Sequence, residues 1–209
     1  MGLLRSIFGP SKEEIWSQVA ADIGGRYEDG GWFSGDGVRY QHGEWEIVLD
    51  TYTTSSGTGS NRTTRTYTRM RAPFVNKDNL WFKIYREGLF SPLGRWLGMQ
   101  DISVGHPVFD QNFVIKANDE HQVRRLLDDH YLRDLFERHY DIEIEVHDDE
   151  GWFGDRFPEG CDQLYFSTRG VITDANELRN LFELFTCTLE RLVAIDSAYE
   201  TDPQVHLSV

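Results

Sequence analysis

The chain has 209 residues, 39% hydrophobic and 13% aromatic, which is enough for a core of one large domain or two small ones, with Phe, Tyr and Trp supplying much of the buried area. Its net charge of −14 is uneven: residues 1–105 hold 12 Lys+Arg and 12 Asp+Glu, whereas residues 106–209 hold 9 and 23 and so carry the entire excess. That sign argues against nucleic acid as the main partner, no apolar run reaches the ~18 residues of a membrane span, and the widely spaced Cys161 and Cys187 make no disulfide framework, so the expected setting is the reducing cytoplasm.

Residues 1–9, Met-Gly-Leu-Leu-Arg-Ser-Ile-Phe-Gly, are short and apolar and loosely fit the Met-Gly-x-x-x-Ser acylation pattern. Packing of Leu3, Leu4, Ile7 and Phe8 onto the body, or a weak surface anchor that keeps membrane contact open, is preferred to acylation. Ser11-Lys-Glu-Glu14 is a capping box, Ile15, Trp16, Val19, Ala20 and Ile23 form a helical stripe, and Gly24-Gly25 ends the helix.

From Arg26 to Tyr85 the period becomes two, as in strands. Residues 44–51 and 64–72 alternate cleanly around a Ser, Gly and Thr-rich loop at 54–62, which predicts a hairpin. Pairing Asp50 with Arg65 places Val48 opposite Tyr67, Glu46 opposite Arg69 and Glu44 opposite Arg71, so that every charge meets its opposite. Such a ladder is preferred to a nucleic-acid or anion patch, and Arg62 in the loop is the arginine left over. Pro73 is expected to end the second strand, Leu80–Tyr85 to form the next, and Ser91-Pro92 to open a short helix. A boundary, if the chain has one, falls in the connector holding Gly105-His106-Pro107.

Phe113, Val114 and Ile115 then read as a strand running through an Asn118 cap into a helix with Val123, Leu126 and Leu127 inward. Residues 129–139 form a second helix, and residues 141–147 alternate with Ile142, Ile144 and Val146 inward. After a loop at 148–163, Leu164–Thr168 is the partner strand. Asp174-Ala-Asn-Glu177 opens a long helix with an apolar face broad enough to cover a sheet, and residues 201–209 look like a loose tail.

Two turns echo each other, Gly31-Trp-Phe-Ser-Gly-Asp36 and Gly151-Trp-Phe-Gly-Asp155. If exposed, Trp32, Phe33, Trp152 and Phe153 make a binding surface; if folded back they are lids on the core, which is the commoner fate of such side chains. The second loop also gathers Asp148, Asp149, Glu150 and Asp155, a conceivable weak calcium or magnesium site, although Trp152 and Phe153 occupy the positions where an EF-hand needs a ligand and a glycine. The histidines have no zinc spacing, neither cysteine has a redox or nucleophile setting, and no Walker loop, dinucleotide fingerprint or nucleophile elbow occurs. The pattern therefore implies neither cofactor nor catalysis.

The segments Ser11-Lys-Glu-Glu-Ile-Trp, Met70-Arg-Ala-Pro-Phe-Val-Asn, Leu97-Gly-Met-Gln-Asp-Ile, Phe109-Asp-x-x-Phe-Val-Ile-Lys and Gly151-Trp-Phe-Gly resemble uncharacterised bacterial proteins of the domain-of-unknown-function kind. The resemblance spans nearly the whole length; it implies a bacterial cytoplasmic protein and supplies no catalytic residues. The expected fold is α+β: a helix and an antiparallel β-meander over 1–105, then an acidic β-α-α-β-β-α half over 106–209, in one compact body with helices on the sheet. The expected role is a non-catalytic protein-binding or scaffold module with an unknown protein partner. The alternatives are a hydrolase or metal-dependent enzyme centred on the loop 148–162 and a membrane-surface adaptor using the N-terminal apolar segment.

Overall fold

The computed structural model describes residues 9–30, 35–58, 62–88, 100–148 and 157–209. Five helices are seen among them: α1 (Lys12–Ile23), α2 (Pro107–Asn112), α3 (Glu120–Leu127), α4 (His130–Glu137) and α5 (Ala175–Ala194). The strands are β1 (Arg26–Glu28), β2 (Gly37–His42), β3 (Trp45–Ser56), β4 (Thr63–Asn76), β5 (Phe82–Arg86), β6 (Phe113–Ala117), β7 (Glu143–His147), β8 (Cys161–Arg169) and β9 (Ala198–Tyr199). They form a single antiparallel sheet in the order β1-β2-β3-β4-β8-β7-β5-β6, with β9 added to β4, so the fold is α+β. Residue 105 does not divide the sheet: β8 pairs with β4, and β5 pairs with both β6 and β7.

Period-two alternation becomes two rows, one residue apart in each strand. Val38, Leu49, Met70, Phe166, Ile144, Ile84 and Ile115 are successive partners across seven strands, all buried, and they face the helices. Their chain neighbours Arg39, Val48, Arg71, Tyr165, Glu145, Lys83 and Lys116 form the matching row on the other face. Burial of one row on the helices fixes which face every charged neighbour must take.

The helices follow from caps and stripes. Ser11 accepts from the Glu14 amide at 3.2 Å while Glu14 accepts from the Ser11 amide at 3.1 Å, and Gly24 closes α1 in the left-handed region at φ 76°. Trp16 is fully buried and donates its indole N–H to the Ile172 carbonyl at 3.0 Å, tying α1 to the chain entering α5. Asp174 caps α5 by accepting from Asn176 and Glu177, and Leu178, Leu181, Phe182, Phe185, Leu189 and Leu192 bury its stripe.

Four expectations are corrected. The hairpin pairs Asp50 with Arg69, Val48 with Arg71, Tyr52 with Tyr67 and Thr54 with Arg65, four residues from the register that opposes Asp50 to Arg65. A slip of four leaves every side chain on its own face, so alternation alone cannot choose between the two. The observed register extends the ladder to Ser56↔Thr63, and Glu46 is taken instead by Arg39 at 2.7 Å and Arg26 at 3.7 Å. Pro73 does not end β4: its pairing with β3 stops at Val48↔Arg71, so the missing N–H falls where β4 is an edge, while pairing with β8 runs on through Pro73↔Gln163. Asp119, not Asn118, caps α3; Asn118 instead accepts from the Trp81 amide at 2.8 Å and donates to the Asn79 carbonyl at 2.7 Å. The C-terminal stretch is packed rather than loose. Pro203 and Leu207 are buried, the Gly35 amide donates to the Val209 carbonyl at 3.2 Å, and arginines hold the two carbonyls before it. The helix expected at Ser91-Pro92 lies outside the described residues.

Candidate functional site

The polar face of the sheet concentrates the ionisable groups, and its centre is Asp50, fully buried on β3. Arg69 reaches its two oxygens with Nε at 2.8 Å and Nη2 at 2.7 Å, and the buried Arg71 adds Nη2 at 2.5 Å. A carboxylate accepting three charge-assisted bonds from two guanidiniums is satisfied in place. Arg71 Nη2 also donates to the Ser208 carbonyl at 2.6 Å. Beside it, Arg39 donates to Glu28 and Glu46 and to the Leu207 carbonyl, each at 2.7 Å. Burial opposes the Arg39 charge, but the two carboxylates outweigh it and raise its pKa. The residues from Leu207 to Val209 thus lie as a strap across β2, β3 and β4, over Gly37, where an added Cβ would stand 2.4 Å from Val209 Cγ1.

Further along the row, Lys83 Nζ lies 2.7 Å from Glu143 and 3.4 Å from Glu145, and Glu145 meets His147 Nε2 at 2.6 Å. The His147 ring stacks on Tyr165 with centroids 4.3 Å apart. Burial first, and then the neighbouring Tyr52, raises the Tyr165 phenol above its ordinary value, so it stays a neutral hydroxyl. Lys116 pairs with Asp101 at 2.5 Å. Chemically, this is an ion-paired surface in which bases and cations are held by one another.

Among solved structures the chain is similar to the crystal structure of the mycobacterial trehalose monomycolate transport factor A, TtfA, at 10% identity over 87% of this chain and 94% of that one, with a TM-score of 0.49. No protein-family model matches the chain. No curated protein matches it either.

Of the residues singled out from the sequence, Trp32, Phe33, Trp152, Phe153, Asp149, Glu150 and Asp155 lie outside the described residues. Asp148 is exposed at the end of β7, and no metal-holding group of three or more His, Cys, Asp or Glu occurs among the described residues. Arg62 is exposed and donates to the Ser55 hydroxyl at 3.2 Å. No helix among the described residues is long and apolar enough to cross a membrane. A shallow depression of about 310 Å³ between α1, β2 and α5 is rimmed by Arg179, which pairs with Asp22 at 2.5 Å, and Glu183, which pairs with Arg138 at 3.4 Å.

The sequence reading missed the outer end of the β3–β4 hairpin. Thr53–Ser56 pairs with Thr63–Thr66 beyond the ends of both neighbours, since β2 stops at Gly37↔Asp50 and β8 at Tyr67↔Arg169. Tyr52 and Tyr67 stack at its base, 5.1 Å apart, and Arg65 and Arg169 stand exposed on either side of Tyr67. A signal was present: residues 51–70 contain three arginines and no carboxylate, in a chain of net charge −14.

Proposed function

We propose that this protein is a non-catalytic protein-binding or scaffold module of the bacterial cytoplasm. The observation that supports it is the polar sheet face, where Asp50 accepts from Arg69 and Arg71, Lys83 sits between Glu143 and Glu145, and His147 Nε2 rests on Glu145. A general acid or base works with its polar atom available to a substrate; these groups are engaged by hydrogen bonds and ion pairs to one another, as in a structural network. The buried charges then serve to specify strand register, leaving recognition to the surface. Trp32, Phe33, Trp152 and Phe153 belong to this proposal on the strength of their sequence alone.

The test is reconstitution. The full chain is crosslinked in its host cells, the crosslinked protein is made separately, and the two are mixed and sedimented. A discrete complex that persists with Lys83→Met is the expected result. The reading is overturned if no crosslinked protein re-forms a complex, or if Lys83→Met removes a measurable turnover while the fold is retained.

A further inference from the structure

Among the described residues, the end of the β3–β4 hairpin combines an open edge with positive charge. Thr53, Thr54, Ser55 and Ser56 are exposed, and among the described residues no strand pairs with them on the side where β2 pairs Asp50. Sheet edges usually carry a guard such as lysine, proline, a bulge or a cover. The guards are visible elsewhere here: the Ile102 amide donates to the Ile115 carbonyl at 2.9 Å along the outer side of β6, and β1 is only three residues long. The β3 edge carries none of these side chains. It is four residues, two of them the strand-favouring Thr, about 13 Å of backbone whose alternate residues point N–H and C=O outward.

Charge selects the occupant. Arg65 stands opposite Thr54 on the face that carries Asp50, and Arg62 reaches the Ser55 hydroxyl on the opposite face. Arg169 is exposed across from Tyr67 at the base. A strand added beside β3 therefore has Arg62 at Ser55 on one face and Arg65, one strand further in on β4, on the other, which suits carboxylates long enough to reach across at consecutive positions. A second copy joined edge to edge brings the four arginines of two hairpins together, like sign against like.

From this we propose that the Thr53–Ser56 edge of β3 binds an extended acidic peptide segment of a partner protein by strand addition, with Arg62 and Arg65 selecting for carboxylates on both of its faces. Backbone hydrogen bonds supply the attachment, as in other edge-binding domains, and the arginines supply sign selectivity and salt dependence. The inference rests on the binding-module reading and names the site and chemistry of the partner.

The probe is a blocked seven-residue peptide of Glu, Asp, Val and Thr, compared with its Gln/Asn counterpart, using the full chain. Amide hydrogen exchange is followed at Thr53–Ser56, and affinity by fluorescence anisotropy. Expected are alternating protection along the edge, tighter binding of the acidic peptide, weakening by salt, and a loss of at least about tenfold in affinity on Arg62→Glu with Arg65→Glu. Arg62→Gln with Arg65→Gln, a milder pair at exposed positions, gives a smaller loss in the same direction. The proposal is overturned if the edge amides stay unprotected, if the neutral peptide binds equally well, or if the free chain proves to be a dimer whose edge is already protected. A reconstituted partner complex that ignores the double charge reversal would sink this site while sparing the binding-module reading; absence of any partner complex counts against that reading itself.

Discussion

Asp50→Ala tests the logic of the sheet most directly. The substitution removes the acceptor of three hydrogen bonds, from Arg69 at 2.8 and 2.7 Å and from Arg71 at 2.5 Å, in a site where Asp50 is 0% and Arg71 1% exposed. Breaking a buried ion pair from one side costs about 3–5 kcal/mol. Arg71 keeps the Ser208 carbonyl, and the Arg69 side chain is 21% exposed and can turn to water, so the lower end, about 3 kcal/mol, applies. For a chain of this length that is a drop in Tm of roughly 6–12 °C. Urea unfolding followed by circular dichroism, with an unchanged m-value, measures it. Arg65→Ala is the internal control: Arg65 is exposed opposite Thr54, so its loss should change stability by under about 0.5 kcal/mol. An Asp50→Ala loss below about 1 kcal/mol, or an Arg65→Ala loss equal to that of Arg69→Ala, would refute both the buried cluster and the register.

Gly37→Ala should destabilise by about 1–3 kcal/mol in the same assay, because the new Cβ would stand 2.6 Å from the Leu49 carbonyl oxygen, a backbone atom of the central sheet that cannot step aside; an unchanged midpoint would contradict that close approach of β2 to β3. His139 is buried, and burial first, with the Arg138 and Arg86 charges adding to it, lowers its pKa below the ordinary 6.5. Between that unfolded value and the lower folded one the unfolded chain binds the extra proton, so stability should fall as pH drops below about 6.5, and His139→Gln should flatten that part of the profile; parallel slopes in the two proteins would rule the assignment out. The Cys187 thiol is pushed up to about 11, by burial first and then by Asp129 and Glu190, and burial also raises Cys161. Native protein at pH 8 should therefore resist iodoacetamide until urea unfolds it, whereas labelling at the rate of free cysteine would contradict the raised pKa of the half-buried Cys187 and the buried Cys161.

By itself the sequence determined whatever depends on near neighbours. The Ser11–Glu14 box, the Gly24 stop, the α5 stripe and the inward set Ile142, Ile144 and Val146 are local facts of capping and period, and they sufficed for an α+β fold with helices on an antiparallel sheet. Tertiary structure decided what period two leaves undetermined. Alternation assigns a face but repeats every second residue, so only the burial of Asp50 between Arg69 and Arg71 and the full length of the ladder separate the observed register from one four residues away. Nothing local marks Pro73 as lying past the end of the β3 pairing, or Leu207 and Ser208 as acceptors for Arg39 and Arg71 more than a hundred residues earlier. Among the described residues, the open β3 edge is likewise a matter of where β2 stops: pairing is a property of neighbours, and no stretch of Thr and Ser can declare how far the next strand will reach.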